Sequence, residues 1–191
     1  RPKGVVRNAF DAKASFEAHK RLVTMWGFTP DDVHIMVGPA YHLMPSAYVM
    51  QHLFVGATCV LMQKFDAEEC LRLIAAEGVT TASMVPAHFI RILDLPADVR
   101  ARYDLRSLRK VLHAAAPCPV DVKRRIMEVF PPDSVWEFYG ATEGQGTIIS
   151  PAEWRDHPGS VGRPWPGVTV RILDDEGRER APGEIGTIYL S

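Results

Sequence analysis

The chain is poor in cysteine, and the cysteines it has do not pair by spacing. Cys59, Cys70 and Cys118 are odd in number, and no C-x-x-C occurs. A disulfide framework or a thiolate zinc centre is therefore not what organises it, and a reducing cytoplasm is the expected compartment. Long apolar runs are also missing. The longest candidate, residues 48–62, carries Gln51 and His52 and is broken by Gly56. That falls short of the roughly 18 uncharged apolar residues a membrane helix needs. No signal-peptide pattern opens the chain. Charge of one sign is lacking too: 22 basic residues face 23 acidic ones, for a net charge of −1. Nothing in that balance draws nucleic acid or an anionic membrane. There is no internal repeat and no low-complexity tract. No G-x-G-x-x-G follows the first strand-like run, which speaks against a Rossmann dehydrogenase.

What is present is an ordinary globular composition. Of 191 residues, 47% are hydrophobic and 24% charged, enough to bury a sizeable core. Gly4-Val5-Val6 is strand-like. Ser15 is a candidate cap for a helix that Gly27 closes, with Ala18, Leu22, Met25 and Trp26 on its inner face. Residues 34–38 read as a buried strand, Met44-Pro45 opens an apolar helix ending near Gly56, and residues 58–62 read as a strand. Asp66 with Glu69 resembles a capping box for a helix reaching Gly78. Residues 79–85 follow as a strand, and Pro86 starts a helix through Leu93. A strand lies within 105–112, a helix in 119–130 with Val122, Ile126 and Val129 on one face, and a strand in 134–138. This alternation predicts an α/β fold, a mostly parallel sheet with flanking helices. Beyond residue 150 glycine, proline and charge dominate, with strands at 168–173 and 185–190 around an Asp-Asp-Glu-Gly turn. The expected organisation is an α/β part over 1–150 and an incomplete β-rich portion over 151–191.

In open α/β sheets ligands bind beyond the carboxyl ends of the strands. Three segments sit there: Gly38-Pro-Ala-Tyr-His42, His113-Ala-Ala-Ala-Pro117 and Tyr139-Gly-Ala-Thr-Glu143. The last is the most informative. It offers a ring to stack on a base, a glycine for a turn or close backbone approach, a hydroxyl for a phosphate oxygen and a carboxylate for Mg²⁺. One shared crevice is expected to join the three loops.

In that order along the chain, the segments resemble the adenylate-forming enzymes: acyl- and aryl-CoA synthetases, firefly luciferase and peptide-synthetase adenylation domains. Arg1-Pro-Lys-Gly-Val5 looks like the end of the family's glycine-rich phosphate loop. Tyr41-His42 resembles its gating histidine segment, Ala114 to Pro117 its adenine wall, and Tyr139 to Glu143 its Y-G-x-T-E motif. Gly159-Ser-Val-Gly-Arg-Pro-Trp-Pro-Gly167 and Gly183-Glu-Ile-Gly186 follow in the expected sequence. The resemblance is closest to a fatty- or other acyl-CoA synthetase, and it covers a piece of the large N-terminal domain. It implies that a small carboxylic acid is activated with Mg²⁺ and ATP to an acyl-adenylate, then passed to CoA. A carrier-protein thiol in place of CoA, or a non-catalytic nucleotide-binding fragment, stay open. The lack of an initiator methionine and the stop at Ser191 also read as a fragment, expected to be inactive alone.

Residue roles carried by the resemblance are as follows. Lys3, His42, Thr142 and Glu143 would be catalytic, with Glu143 holding Mg²⁺. Ala114, Ala115, Ala116, Pro117, Glu137, Phe138, Tyr139, Gly140, Ala141 and Thr142 would bind the nucleotide. His42, Met44, Ala114 and Phe138 would line the acid's pocket. Each has a plainer reading. Lys3 could be a solvated lysine, Thr142-Glu143 a helix cap with a first-turn acid, Tyr139 a core aromatic, the alanines close packing, and His42 a structural histidine. Met44, Tyr48, Phe89 and Trp165 read first as core. Two departures from the family pattern stand out: His113-Ala114-Ala115 where Ser-Gly-Gly/Ala is usual, and Phe138 where aryl-CoA ligases often carry glycine.

Overall fold

The structure is a computed structural model that describes residues 12–141 and 144–191. The strand-like run at Gly4-Val5-Val6 lies outside the described residues. Helix α1 (Ala12–Trp26) is followed by β1 (Val33–Met36), α2 (Leu43–Val55), β2 (Thr58–Leu61), α3 (Ala67–Ala76) and β3 (Thr81–Met84). Then come α4 (Pro86–Leu93), a single turn α5 (Ala97–Arg100), β4 (Lys110–His113), α6 (Val120–Val129) and β5 (Val135–Ala141). The chain continues through β6 (Gly144–Ile149), α7 (Pro151–Asp156), β7 (Arg163–Pro164), β8 (Val170–Leu173) and β9 (Thr187–Leu190).

Local chemistry explains most of the boundaries. Gly27, Gly56 and Gly78 take positive φ and stop helices or turns. The Asp66 side chain accepts from the Glu69 amide at 2.9 Å and caps α3. The capping-box reading is half right, because the Glu69 carboxylate turns outward to Arg72 instead. A reciprocal box forms at Ser150 and Glu153, at the start of α7.

Among the described residues, seven strands form one sheet in the order β2-β1-β3-β4-β5-β6-β7, and the first five are parallel. The parallel strands are aligned, so that Met36 pairs with Ser83, Ser83 with Leu112 and Leu112 with Trp136. Their carboxyl ends therefore finish at one edge. The expected α/β architecture is what the chain adopts. The β-rich end is present as the antiparallel pair β8–β9. The expected boundary at residue 150 falls inside the large sheet, since β7 pairs with β6 and Trp165 is buried against the core.

The two faces of the sheet are different. Alternate residues Ile35, Ala82, Met84, Val111 and Val135 face α3, α4 and α6 and form the main aliphatic core with Leu71, Ile74, Phe89 and Ile126. The other face meets α1 and α2 through Trp26, Phe28, Tyr48, Leu112 and Trp165, with Trp136 and Phe138 packed alongside. Lys110 fastens α1 there, donating to the Trp26 carbonyl at 2.7 Å and lying 5.1 Å over the Trp136 ring. The phase of α1 differs from expectation. Val23 is buried and Met25 exposed, because Trp26 at the helix end sets which side faces the sheet. Ser15 lies inside the helix rather than at its cap.

Candidate nucleotide and acid site

The candidate site is the sheet edge where β1, β3, β4 and β5 end. Order reverses between β1 and β3, the kind of switch point at which open parallel sheets leave a crevice. From β1 to β5 is three strand spacings, about 14 Å.

His42 sits at the N-cap of α2, exposed, its ring 4.7 Å from that of Tyr41. Its carbonyl accepts from Ser46, amide and hydroxyl alike. The imidazole itself makes no cap bond and stays at the open edge. Met44, Tyr48, Phe89 and Trp165 pack in the core, Met44 only partly buried.

Beyond β4, Ala114 is buried while Ala115, Ala116 and Pro117 are exposed. Ala115 has φ 74°, the left-handed region that glycine occupies without penalty. Ala115 is thus a strained alanine in a loop at the candidate site. Such strain is stored most often where backbone geometry serves a site.

Strand β5 runs past the end of β4, so Phe138 to Ala141 project beyond its last pair, His113 with Glu137. Tyr139 is 40% exposed. Gly140 was expected to permit a turn or a close backbone approach. It lies within β5, beside a register shift at Tyr139/Gly140 in the antiparallel pairing of β5 with β6. Thr142 and Glu143 themselves lie outside the described residues, as does Lys3. Among the described residues no group of three His, Cys, Asp or Glu side chains could hold a metal ion.

Phe138 and Glu137 point to opposite faces, as neighbours in a strand must. Phe138 joins the aromatic layer, its ring 6.1 Å from Tyr48, 6.5 Å from Trp26 and 6.2 Å from Trp165. The Glu137 carboxylate is largely buried and engaged within the protein. It accepts from Lys123 at 2.5 Å, and His113 Nε2 lies 3.5 Å away. Burial lowers the Lys123 ammonium's pKa, with the Glu137 bond opposing that.

Sequence reasoning missed several supports. Gly146 passes beneath Tyr139: a Cβ there would stand 2.9 Å from the Tyr139 carbonyl and 3.0 Å from its ring. Gly162 lies against β6, where a Cβ would come within 1.9 Å of the Ile148 carbonyl. Trp165 Nε1 donates to the Thr147 carbonyl at 2.9 Å. The G-S-V-G-R-P-W-P-G run therefore stitches β6 and β7 together behind the site. Gly162 and Trp165 within it were the available signal.

A buried polar string runs below the His42 loop. His52 Nδ1 meets the Tyr48 carbonyl at 2.7 Å, so it must donate. His52 Nε2 then accepts from the Thr81 hydroxyl at 2.8 Å, and the Thr81 oxygen accepts from His34 Nδ1 at 2.9 Å. His34 Nε2 is left as a lone pair with no partner. Burial holds both imidazoles below the ordinary histidine range, and their mutual proximity adds to this at His34. Beside them Asp32 accepts from Thr80, Arg109 and the Thr29 amide; burial opposes, yet these bonds keep its carboxyl below the usual range.

A surface cavity of about 510 Å³ opens at the opposite edge, lined by residues such as Arg100, Leu105 and Phe130. None of its lining residues belongs to the three loops.

The sequence profile of a family described as "AMP-binding enzyme" matches residues 1–191. The chain is 28% identical over 200 residues to acyl-CoA synthetase 7 of Caenorhabditis elegans, all of this chain against 36% of that one. It is 30% identical over 200 residues to the fatty acid–[acyl-carrier-protein] ligase ScoC of Streptomyces coeruleorubidus, all of this chain against 37% of that one. The structure matches ATP-bound MatB from Rhodopseudomonas palustris with a TM-score of 0.78 and 30% identity, covering 92% of this chain and 34% of that one. The chain thus spans little more than a third of the length of these relatives.

Proposed function

The chain belongs to the AMP-binding enzyme family, and we propose that it supplies the nucleotide- and acid-binding edge of an acyl-CoA ligase. The observation that supports this reading is that the His42 loop, residues 114–117 and residues 138–141 all lie at the ends of parallel strands along one edge of the sheet. In the proposed reaction a carboxylate oxygen attacks the α-phosphorus of ATP. The P–O bond to pyrophosphate breaks and an acyl-adenylate forms. A CoA thiol then attacks the acyl carbon, its proton is lost to solvent, and AMP departs with the electron pair. A carboxylate is a poor acyl donor until its oxygen can leave, and AMP is a good leaving group.

Tyr139 stacks on adenine opposite the small side chains of residues 114–117. Small exposed alanines and the flat Gly146 support under Tyr139 fit a planar base. The Thr142 hydroxyl donates to a phosphate oxygen, Lys3 faces the β- and γ-phosphates, and His42 orients the acid's carboxylate. Mg²⁺, held by Glu143, would supply charge neutralisation of the phosphates. The acid enters beside Met44, Ala114 and Phe138. Because Phe138 and Tyr48 already fill that layer, short or slim acids are preferred, and Phe138→Gly widens the range. Long fatty acids accepted equally by both forms would count against this pocket.

Pyrophosphate release from the full polypeptide, across a panel of carboxylic acids, tests the reading. Acid-dependent release supports it; ATP consumption indifferent to every acid contradicts it. The 191 residues alone should show no ATP–pyrophosphate exchange. Transfer to a carrier-protein thiol is the second reading, favoured by the likeness to a protein named as an acyl-carrier-protein ligase. Offering CoA and a phosphopantetheine-bearing carrier to the same adenylate separates the two. Tight binding of an acyl-adenylate mimic with no turnover would instead identify a non-catalytic module.

A further inference from the structure

We propose that Lys123 and Glu137 are a positioning pair that fixes the distance between the two walls of the nucleotide site; this rests on the reading above. Glu137 is the last residue of β5 to pair with β4, and residues 138–141 begin immediately after it. Its register partner His113 is the last residue of β4, and residues 114–117 begin immediately after that. Lys123 comes from α6, the helix that follows the 114–117 loop. Its side chain is wholly buried, with Nζ 2.5 Å from Glu137 Oε2 and 4.8 Å from the Trp154 ring centroid on α7. One ammonium group thus joins β5, α6 and α7 directly beneath both walls. His113 packs edge-on against Phe89, with centroids 5.1 Å apart, and backs the same cluster.

The energetics favour this role over a purely stabilising one. Taking two charges out of water costs several kcal/mol, and an apolar pair of similar volume often serves stability as well or better. A directional charged bond supplies what apolar packing does not: a defined distance and angle between the parts it joins. Glu137 therefore acts from beneath the site, through the residues that follow it, and does not touch the nucleotide.

The test uses the full polypeptide, Mg·ATP as probe, and two readouts: calorimetric ATP affinity, and KM values in pyrophosphate exchange. Lys123→Met should weaken ATP binding and raise the KM for ATP about tenfold, with the KM for the acid within twofold. The double variant Lys123→Met/Glu137→Met removes the stranded carboxylate and should recover thermal stability while keeping the weakened ATP binding. It also covers the case in which the single variant does not fold. Lys123→Arg, which retains a charged donor, should restore ATP affinity to within threefold of the native protein. Unchanged ATP affinity in a folded single or double variant would overturn the proposal. Native protein that binds ATP but performs no acid-dependent exchange would refute the functional reading alone, since the affinity arm still tests the pair.

Discussion

The two faces of the central sheet obey different rules. Against α3, α4 and α6 the sheet presents aliphatic side chains in a contiguous cluster, many with no exposed surface. Against α1 and α2 it presents rings and hydrogen-bonding groups: Trp26, Phe28, Tyr48, Trp136 and Phe138, with His34, Thr81 and His52 bonded in series. Polar atoms remain unpaired on both sides: His34 Nε2 and Ser83 Oγ here, and both ring nitrogens of His113, which packs against Phe89, on the first. The first face is close packing, which resists any change of volume. The second carries polar and aromatic groups next to the loop that holds His42. A fold that only had to be stable would not leave buried acceptors unsatisfied there.

The largest expected effect breaks the aliphatic face. Phe89→Ala should cost about 3–5 kcal/mol in chemical denaturation, and the KM for the acid in the surviving folded protein should not move. Phe138→Ala on the other face should cost less, roughly 1–2 kcal/mol, since Phe138 is only half-buried. It should, however, change which acids are used. Equal stability losses with unchanged acid preference would erase the contrast between the faces.

Acid sharpens the same comparison. The pKa values of His34 and His52 are lowered by burial, so the folded state holds them neutral while the unfolded chain protonates them near pH 6.5. The unfolded state then binds more protons, and stability falls as pH drops below about 6.5, by at most about 1.4 kcal/mol per pH unit for each histidine. Burial also lowers His113, with the Lys123 charge adding to it, and brings His88 to about 4, so they act in the same direction. Denaturation midpoints between pH 7.5 and 5 should show this slope, and His52→Asn should flatten it. A slope unaltered by that substitution would mean the polar string titrates elsewhere.

The smallest effects concern single backbone positions. Asp66→Ala removes the α3 cap and should cost about 1 kcal/mol. Ala115→Gly relieves the φ of 74° and should raise stability by up to about 1 kcal/mol. Loss of stability in Ala115→Gly would show that the loop is not strained.

Much of this was legible before any coordinates. Gly27, Gly56, Pro86 and Asp66 mark element ends by simple backbone chemistry, and the alternation from residue 33 onward gives the parallel sheet. The Y-G-A-T-E and A-A-A-P segments fall at neighbouring strand ends because β4 and β5 are adjacent. Other features depended on tertiary context. Gly144-Gln-Gly146 has poor strand propensity, yet β6 forms because β5 offers it a partner and Gly146 must pass beneath Tyr139. Gly140 suggested a turn or a close backbone approach, and pairing with β6 keeps it within a strand. Lysine is almost never buried without a partner, so nothing local to residue 123 could announce a site whose partner lies 14 residues away.

The central claim is that adenine lies between residues 114–117 and Tyr139. It is tested most directly by a crystal structure of the full polypeptide with a non-hydrolysable acyl-adenylate mimic. The account predicts the purine flat against Tyr139 with Ala115 and Ala116 on its other side, and the acyl group directed toward His42 and Phe138. Adenine found instead in the cavity beside Arg100 and Phe130, or anywhere away from the β4 and β5 ends, would contradict it.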